Sequence, residues 1–177
     1  MSNPAPILSV LVGEHFACVK VNGRANFNVS VDFKNIVTCL RGKGYNYVVI
    51  ELSGCPLMDS TFLGVLAGFG LKASQSEDGE NPETIELRNA NERIIELLEN
   101  LGVLFLFKVA KGTRLPEEME ESATHCTSNV SKEEIARACL EAHQTLMDIN
   151  PENVTRFKDV TKFLAEDLEK LRGKSEG

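Results

Sequence analysis

The sequence predicts an α/β fold, a mixed sheet with helices, followed by a C-terminal helical hairpin. Short apolar, β-branched runs at residues 7–12, 16–21, 47–52, 83–87 and 104–109 read as strands. Between them lie longer stretches whose apolar residues recur at three- and four-residue steps, the spacing of one helical face. After Leu115 the strand-like runs stop, two helical stripes follow, and the charge turns acidic, with 8 Lys/Arg against 14 Asp/Glu where the preceding part has 11 against 12.

Residues 7–12 and 16–21 flank a Gly13-Glu14 turn signal and read as an antiparallel hairpin. Gly23-Arg24-Ala25-Asn26 breaks the second strand. Val29, Phe33, Ile36, Val37 and Leu40 then share one helical face over residues 28–40, and Gly42 and Gly44 stop that helix. The third strand, 47–52, ends before Pro56, which cannot donate to a ladder. Asp59, Ser60 and Thr61 are N-cap residue types standing where Leu63, Val65, Leu66, Ala67 and Phe69 open an apolar helix to about residue 73. A polar loop over 74–82 leads to a fourth strand at 83–87, Asn89 caps a helix over 90–101, Gly102 ends it, and 104–109 is the last strand. An antiparallel first pair and later crossover connections imply mixed pairing.

Residues 112–130 read as an acidic and polar linker carrying Pro116, Glu117, Glu118, Glu120 and Glu121. Ser131-Lys-Glu-Glu134 is a capping box opening a helix to about residue 147, with Ile135, Ala138, Cys139, Ala142 and Leu146 as its stripe. Asn150-Pro151 starts a second helix, in which Val154, Phe157, Val160, Thr161, Leu164, Leu168 and Leu171 recur at helical steps. The division is therefore 1–111 for the α/β domain, 112–130 for the linker and 131–173 for the hairpin. The hairpin either folds back on the domain or makes a homodimer through Phe157, Val160, Leu164 and Leu168.

Of the 177 residues 42% are hydrophobic and 25% charged, which is ordinary for a globular chain. No apolar run approaches about 20 residues, so no membrane span is expected, and the first residues lack a secretory pattern, which points to the cytoplasm. The five cysteines, Cys18, Cys39, Cys55, Cys126 and Cys139, are odd in number and unpaired in spacing, so reduced thiols are expected rather than disulfides or zinc. A net charge of −7 argues against nucleic acid as a partner. His15, His125 and His143 share no spacing with cysteines or carboxylates, so no metal site is expected. No phosphate-binding glycine loop follows a strand, and no nucleophile, base and orienter are grouped in the chain, so neither a cofactor nor an enzyme is expected.

Met58-Asp59-Ser60-Thr61 followed by Leu63-Gly64-Val65-Leu66 resembles the Met-Asp-Ser-Ser/Thr-Gly-Leu-Gly-Val-Leu signature of STAS domains, a family that includes bacterial anti-sigma factor antagonists. Glu86-Leu87-Arg88-Asn89 through Leu101-Gly102-Val103 also resembles that family's last helix and the step after it, so the likeness spans roughly the first two-thirds of the chain. The resemblance implies a STAS-like sheet and a phosphoprotein of transcription regulation. In such a protein Ser60 would be phosphorylated by a serine kinase that is also an anti-sigma factor, and a PP2C-type phosphatase would be a further partner. The face it implies for partner binding comprises Asp59, Ser60, Thr61, Phe62, Gly64 and Asn26. Two departures stand out: Phe62 replaces a glycine, and Arg24 and Asn26 replace acids of a Gly-Glu-Leu-Asp turn.

A serine before a helix is also an ordinary cap, so Ser60 has two readings. As a regulated hydroxyl it sits among unpaired N–H groups, where a phosphate of about −1.5 to −2 charges is accommodated. Thr61 is the alternative acceptor. Phe62 is an interface anchor if exposed and a packing group if buried. Gly64 matches the signature, while Gly68 and Gly70 read as close-packing positions. Cys55 reads as a semi-buried structural thiol. The alternative function is a constitutive interaction or small-ligand module, sensory or transporter-associated, with no phosphate switch; the two departures favour it.

Overall fold

Among the residues that the computed structural model describes (7–76, 82–112, 120–124 and 130–175), six strands form one mixed sheet. In chain order the elements are β1 (Ile7–Val12), β2 (Phe16–Asn22), α1 (Phe27–Gly42), β3 (Tyr47–Glu51), α2 (Ser60–Ser74), β4 (Thr84–Arg88), α3 (Glu92–Asn100), β5 (Lys108–Ala110), β6 (Glu120–Thr124), α4 (Lys132–Ile149) and α5 (Glu152–Ser175). The strand order is β5-β4-β3-β2-β1-β6. β1 runs antiparallel to β2 and to β6, whereas β2, β3, β4 and β5 are parallel neighbours. The mixed α/β architecture with a C-terminal helical pair is thus the one the residue pattern implies.

Successive strand side chains point to opposite faces, and the chain uses the two faces differently. Leu8, Val10, Val19, Val21, Val48, Ile50, Ile85 and Leu87 enter the core with Val29, Phe33 and Val37 of α1 and Leu63, Leu66 and Phe69 of α2. The intervening positions form a second, polar layer. Glu86 there accepts from Tyr47 Oη at 2.7 Å and Arg88 Nη2 at 2.7 Å, and Glu51 accepts from Asn89 Nδ2 at 3.1 Å. Cys18 lies in the same layer with no measurable exposure.

Four readings need correction. The cap of α3 is Asn91, whose side chain accepts from Ile94 N at 2.9 Å, so the helix spans 92–100 rather than 90–101. Asn89 instead ends β4 in the left-handed region at φ 58°, where its side chain bonds both Gly112 N and Gly112 O. Residues 104–109 are not one strand. Leu104–Leu106 is a 3-10 turn and only Lys108–Ala110 pairs with β4. The turn carries Leu106 and Phe107 against Gly70 of α2, so close that a Cβ on Gly70 would lie 2.8 Å from the Phe107 ring. Gly68, by contrast, is not closely packed; its nearest such neighbour is Thr145 Cγ2 at 3.9 Å. Finally, the stretch read as linker contains a strand. The backbone of Glu120–Thr124 pairs with β1 across a register shift between Val10 and Leu11. Its acidic composition masked that strand, because the pairing is made by backbone groups. Pro116, Glu117, Glu118, His125 and Cys126 lie outside the described residues.

The hairpin folds back on the domain. Its capping box is formed, with Glu134 N donating to Ser131 Oγ at 3.1 Å and Ser131 N to Glu134 Oε2 at 3.2 Å. α4 packs on α1 and α2, and α5 packs on α4. Asn153, wholly buried, donates to Leu101 O and Leu146 O at 2.9 Å each, pinning the hairpin turn to the end of α3. Phe157 packs on the core and Leu168 is buried, whereas Val160 and Phe163 face outward.

Candidate functional site

The site starts from the loop between β3 and α2. Its backbone is laced to the β2–α1 loop: Gly23 N donates to Gly54 O, Ala25 N to Leu57 O and Asp59 N to Ala25 O, at 2.8–2.9 Å. A bridge between Ala25 and Met58 continues the parallel pairing. Two distant turns are thereby held as one, and the N-termini of α1 and α2 emerge side by side.

Asp59 joins those two ends. Its Oδ1 accepts from Phe62 N at 2.8 Å, capping α2, and its Oδ2 accepts from Phe27 N at 2.7 Å, in the first turn of α1. One carboxylate therefore faces the positive ends of two helix dipoles. Asn26 caps α1 separately, accepting from Asn28 N at 3.1 Å. Asn26, Asp59 and Ser60 are thus brought together.

Ser60 is the first residue of α2 and is half-buried. Its Oγ lies 2.8 Å from His143 Nε2, on α4. The other ring nitrogen, Nδ1, lies 2.6 Å from Cys139 O. A carbonyl oxygen only accepts, so Nδ1 donates, and in the singly protonated ring Nε2 accepts from the Ser60 hydroxyl. The imidazole is buried and stands edge-on to Phe157, with centroids 5.0 Å apart. A serine hydroxyl on an imidazole is also the first half of a nucleophilic site. Here, among the described residues, the hydrogen bond that orients the ring goes to a backbone carbonyl, and the pair lies between packed helices, so the arrangement clamps α4 to α2.

Thr61 is buried beneath α4, close to Cys139. Phe62 takes the buried alternative: its ring has no exposure and lies 4.6 Å from that of Phe33. Gly64 meets α4 directly. A Cβ there would collide with the Ala142 carbonyl oxygen and lie 2.7 Å from Ala142 Cβ. His143 was missed in the sequence because its contact spans 83 residues. A usable signal was present, since His143 stands four residues after Cys139 and beside Ala142, both in the apolar stripe of α4.

The thiols differ in environment. Burial, reinforced by the nearby Glu51, pushes Cys18 up to about 12, and burial raises Cys55 and Cys139 as well. Cys39 is exposed. The thiolate is the reacting form, so at pH 8 Cys39 should label with a disulfide reagent well before Cys18, Cys55 and Cys139. Peptide mapping after timed labelling checks this; early labelling of Cys18 would contradict its placement. Among the described residues no group of three His, Cys, Asp or Glu is placed to hold a metal, and no helix is long and apolar enough to cross a membrane.

Comparison with known proteins adds family and fold. The STAS domain family matches residues 9–114. Among solved structures, a protein of Thermotoga maritima described as a candidate anti-sigma factor antagonist is 22% identical at a TM-score of 0.51, covering 58% of this chain and 85% of that one. An anti-sigma factor antagonist from Mycobacterium paratuberculosis is 15% identical at a TM-score of 0.51, covering 62% and 90%. At these identities the likeness is one of fold. No curated protein matches the chain.

Proposed function

Because the chain belongs to the STAS domain family, we propose that it is a non-enzymatic regulatory protein of the anti-sigma factor antagonist kind. In this reading the start of α2, with Asp59, Ser60, Thr61 and Gly64 beside Asn26, receives a protein partner. That partner is an anti-sigma factor acting as a serine kinase, and phosphorylation of Ser60 reverses the binding. A PP2C-type phosphatase resets it.

The observation that supports this most is the position of the Ser60 hydroxyl. It stands at the first residue of a helix whose cap, Asp59, also gathers the start of α1. A phosphate there would meet helix N–H groups that favour it and a carboxylate that repels it, a balance suited to a reversible modification. Phe62 supports the reading indirectly, by bracing the helix start from within the core.

Phosphopeptide mapping of the protein isolated from its native cell, and after incubation with a cognate kinase and ATP, is expected to place the phosphate on Ser60. A bait carrying Ser60→Asp should lose a protein that the wild type captures. Absence of phosphate from both Ser60 and Thr61, with capture unchanged by Ser60→Asp, would remove the switch. One observation favours the second reading, a constitutive module without a phosphate switch: the Ser60 hydroxyl already has a partner in His143.

A further inference from the structure

We propose that the face of α1 and α2 around Ser60 and Gly64 is a groove for one amphipathic helix with a stripe of small residues, that α4 occupies it in cis, and that an outside partner docks by displacing α4 with such a helix of its own. The proposal rests on the reading that this face is the docking surface, and it names the chemistry of what docks there.

The occupant shows what the groove accepts. Gly64 has no side chain, and the backbone and Cβ of Ala142 fill the space. Ala138, Cys139 and Ala142 form a buried small-residue stripe along the contacting side of α4. Small residues on both helices let the two backbones approach closely, and a larger side chain at either position would hold them apart. Polar contacts set the register around that stripe. His143 meets Ser60 at 2.8 Å, and Glu141 Oε2 accepts from Lys34 Nζ of α1 at 3.1 Å. A competing helix therefore needs a small residue over Gly64, a hydrogen-bonding group toward Ser60 and a carboxylate toward Lys34.

The hairpin is packed on the domain, with Ala142 and Leu146 in its core, but is not woven into the sheet. α4 and α5 contribute no strand to the sheet, and the family match ends at residue 114, before α4 begins at Lys132. Packing along the groove is uneven. The backbones touch at Gly64 and Ala142, yet a cavity of about 340 Å³ opens beside that same contact, reaching from Gly64 and Ala142 to Phe69, Lys72 and Thr145. On α5, Val160 and Phe163 are 42% and 67% exposed. Opening would uncover the faces of α1 and α2 and release the turn from the end of α3, while the strand pairing of the sheet stays intact. A tethered occupant competes at an effective concentration in the millimolar range. An outside helix binds with its intrinsic affinity scaled down by the fraction of molecules that are open.

The test uses the full chain and a fluorescent peptide of residues 130–150 as the probe, with Ser60 unphosphorylated throughout. Wild type should bind the peptide weakly. Ala142→Arg places a long cation where the Gly64 contact leaves no room, so it should expose the α4 amides to hydrogen exchange and bind the peptide at least tenfold more tightly. Adding Gly64→Val to that variant should abolish the gain. The proposal is overturned if Ala142→Arg leaves α4 protected, because the contact is then not tight, or if α4 opens and the peptide binds no better. Should the sheet amides also lose protection, Asn153→Ala, which releases the hairpin turn, takes its place with the same two outcomes. No step involves phosphate, so failure of the Ser60 switch and failure of this competition are separate results.

Discussion

Phe62→Ala is expected to lower the free energy of unfolding by about 3–5 kcal/mol, the range for truncating a buried phenylalanine. For a chain of this size that corresponds to a fall in Tm of roughly 6–20 °C. The ring has no exposure, lies tilted 4.6 Å from Phe33, and through Phe33 reaches Phe69 at 6.2 Å edge-to-face. Removing it leaves a hole at the junction of α1, α2 and the sheet, and it breaks an aromatic pair worth about 0.5–1.5 kcal/mol beyond its area. Phe62→Leu retains most of the volume and should cost less than half as much. Phe62→Gly, the residue of the signature it departs from, should cost most, since it adds about 1 kcal/mol of helix propensity to the cavity. Urea or thermal unfolding followed by circular dichroism measures all three. A loss under about 1 kcal/mol for Phe62→Ala would mean that the aromatic cluster does not hold the helix start in place.

Asp59→Ala is expected to cost about 2 kcal/mol, because two helix starts lose an acceptor at once and a single cap is typically worth about 1 kcal/mol. Phe27 N and Phe62 N are left to water or unpaired. The loss should also be shared: amide exchange in the first turns of α1 and α2 should accelerate together, although the residues are far apart in sequence. Asp59→Asn keeps one acceptor oxygen and should fall between wild type and alanine. If only α2 responds, the Oδ2 contact to Phe27 is not stabilising, and Asp59 is an ordinary single cap. Such a result would also weaken the view that the two loops form one recognition surface.

Much of this architecture was legible before any coordinates. The strand and helix periods are local properties, so β1, β2, α1, β3, α2 and the two C-terminal helices fall close to where their apolar spacing puts them. Ser131 and Glu134 form the capping box their spacing implies, because a capping box involves only four consecutive residues. Errors arose where local signals competed. Asn89 and Asn91 are both good caps, and only the left-handed backbone at Asn89 decides between them. Residues 104–109 have strand composition, but Leu104–Leu106 form a turn that sets Leu106 and the following Phe107 against the bare surface of Gly70. β6 has no apolar alternation to announce it, and its place comes from backbone pairing along β1.

By itself the sequence determined the α/β class, the capped start of α2 and the candidate hydroxyl at Ser60, since each depends on residues within a few positions of one another. Only the tertiary structure decided that Phe62 points inward, that Asp59 serves two helices, and that His143 reaches Ser60 across 83 residues. The physical reason is that hydrophobic periodicity tells which side of a helix is buried without telling what it is buried against. That choice rests on shape at single points of contact, here the absent side chain of Gly64 and the small one of Ala142, which admit α4 to the start of α2.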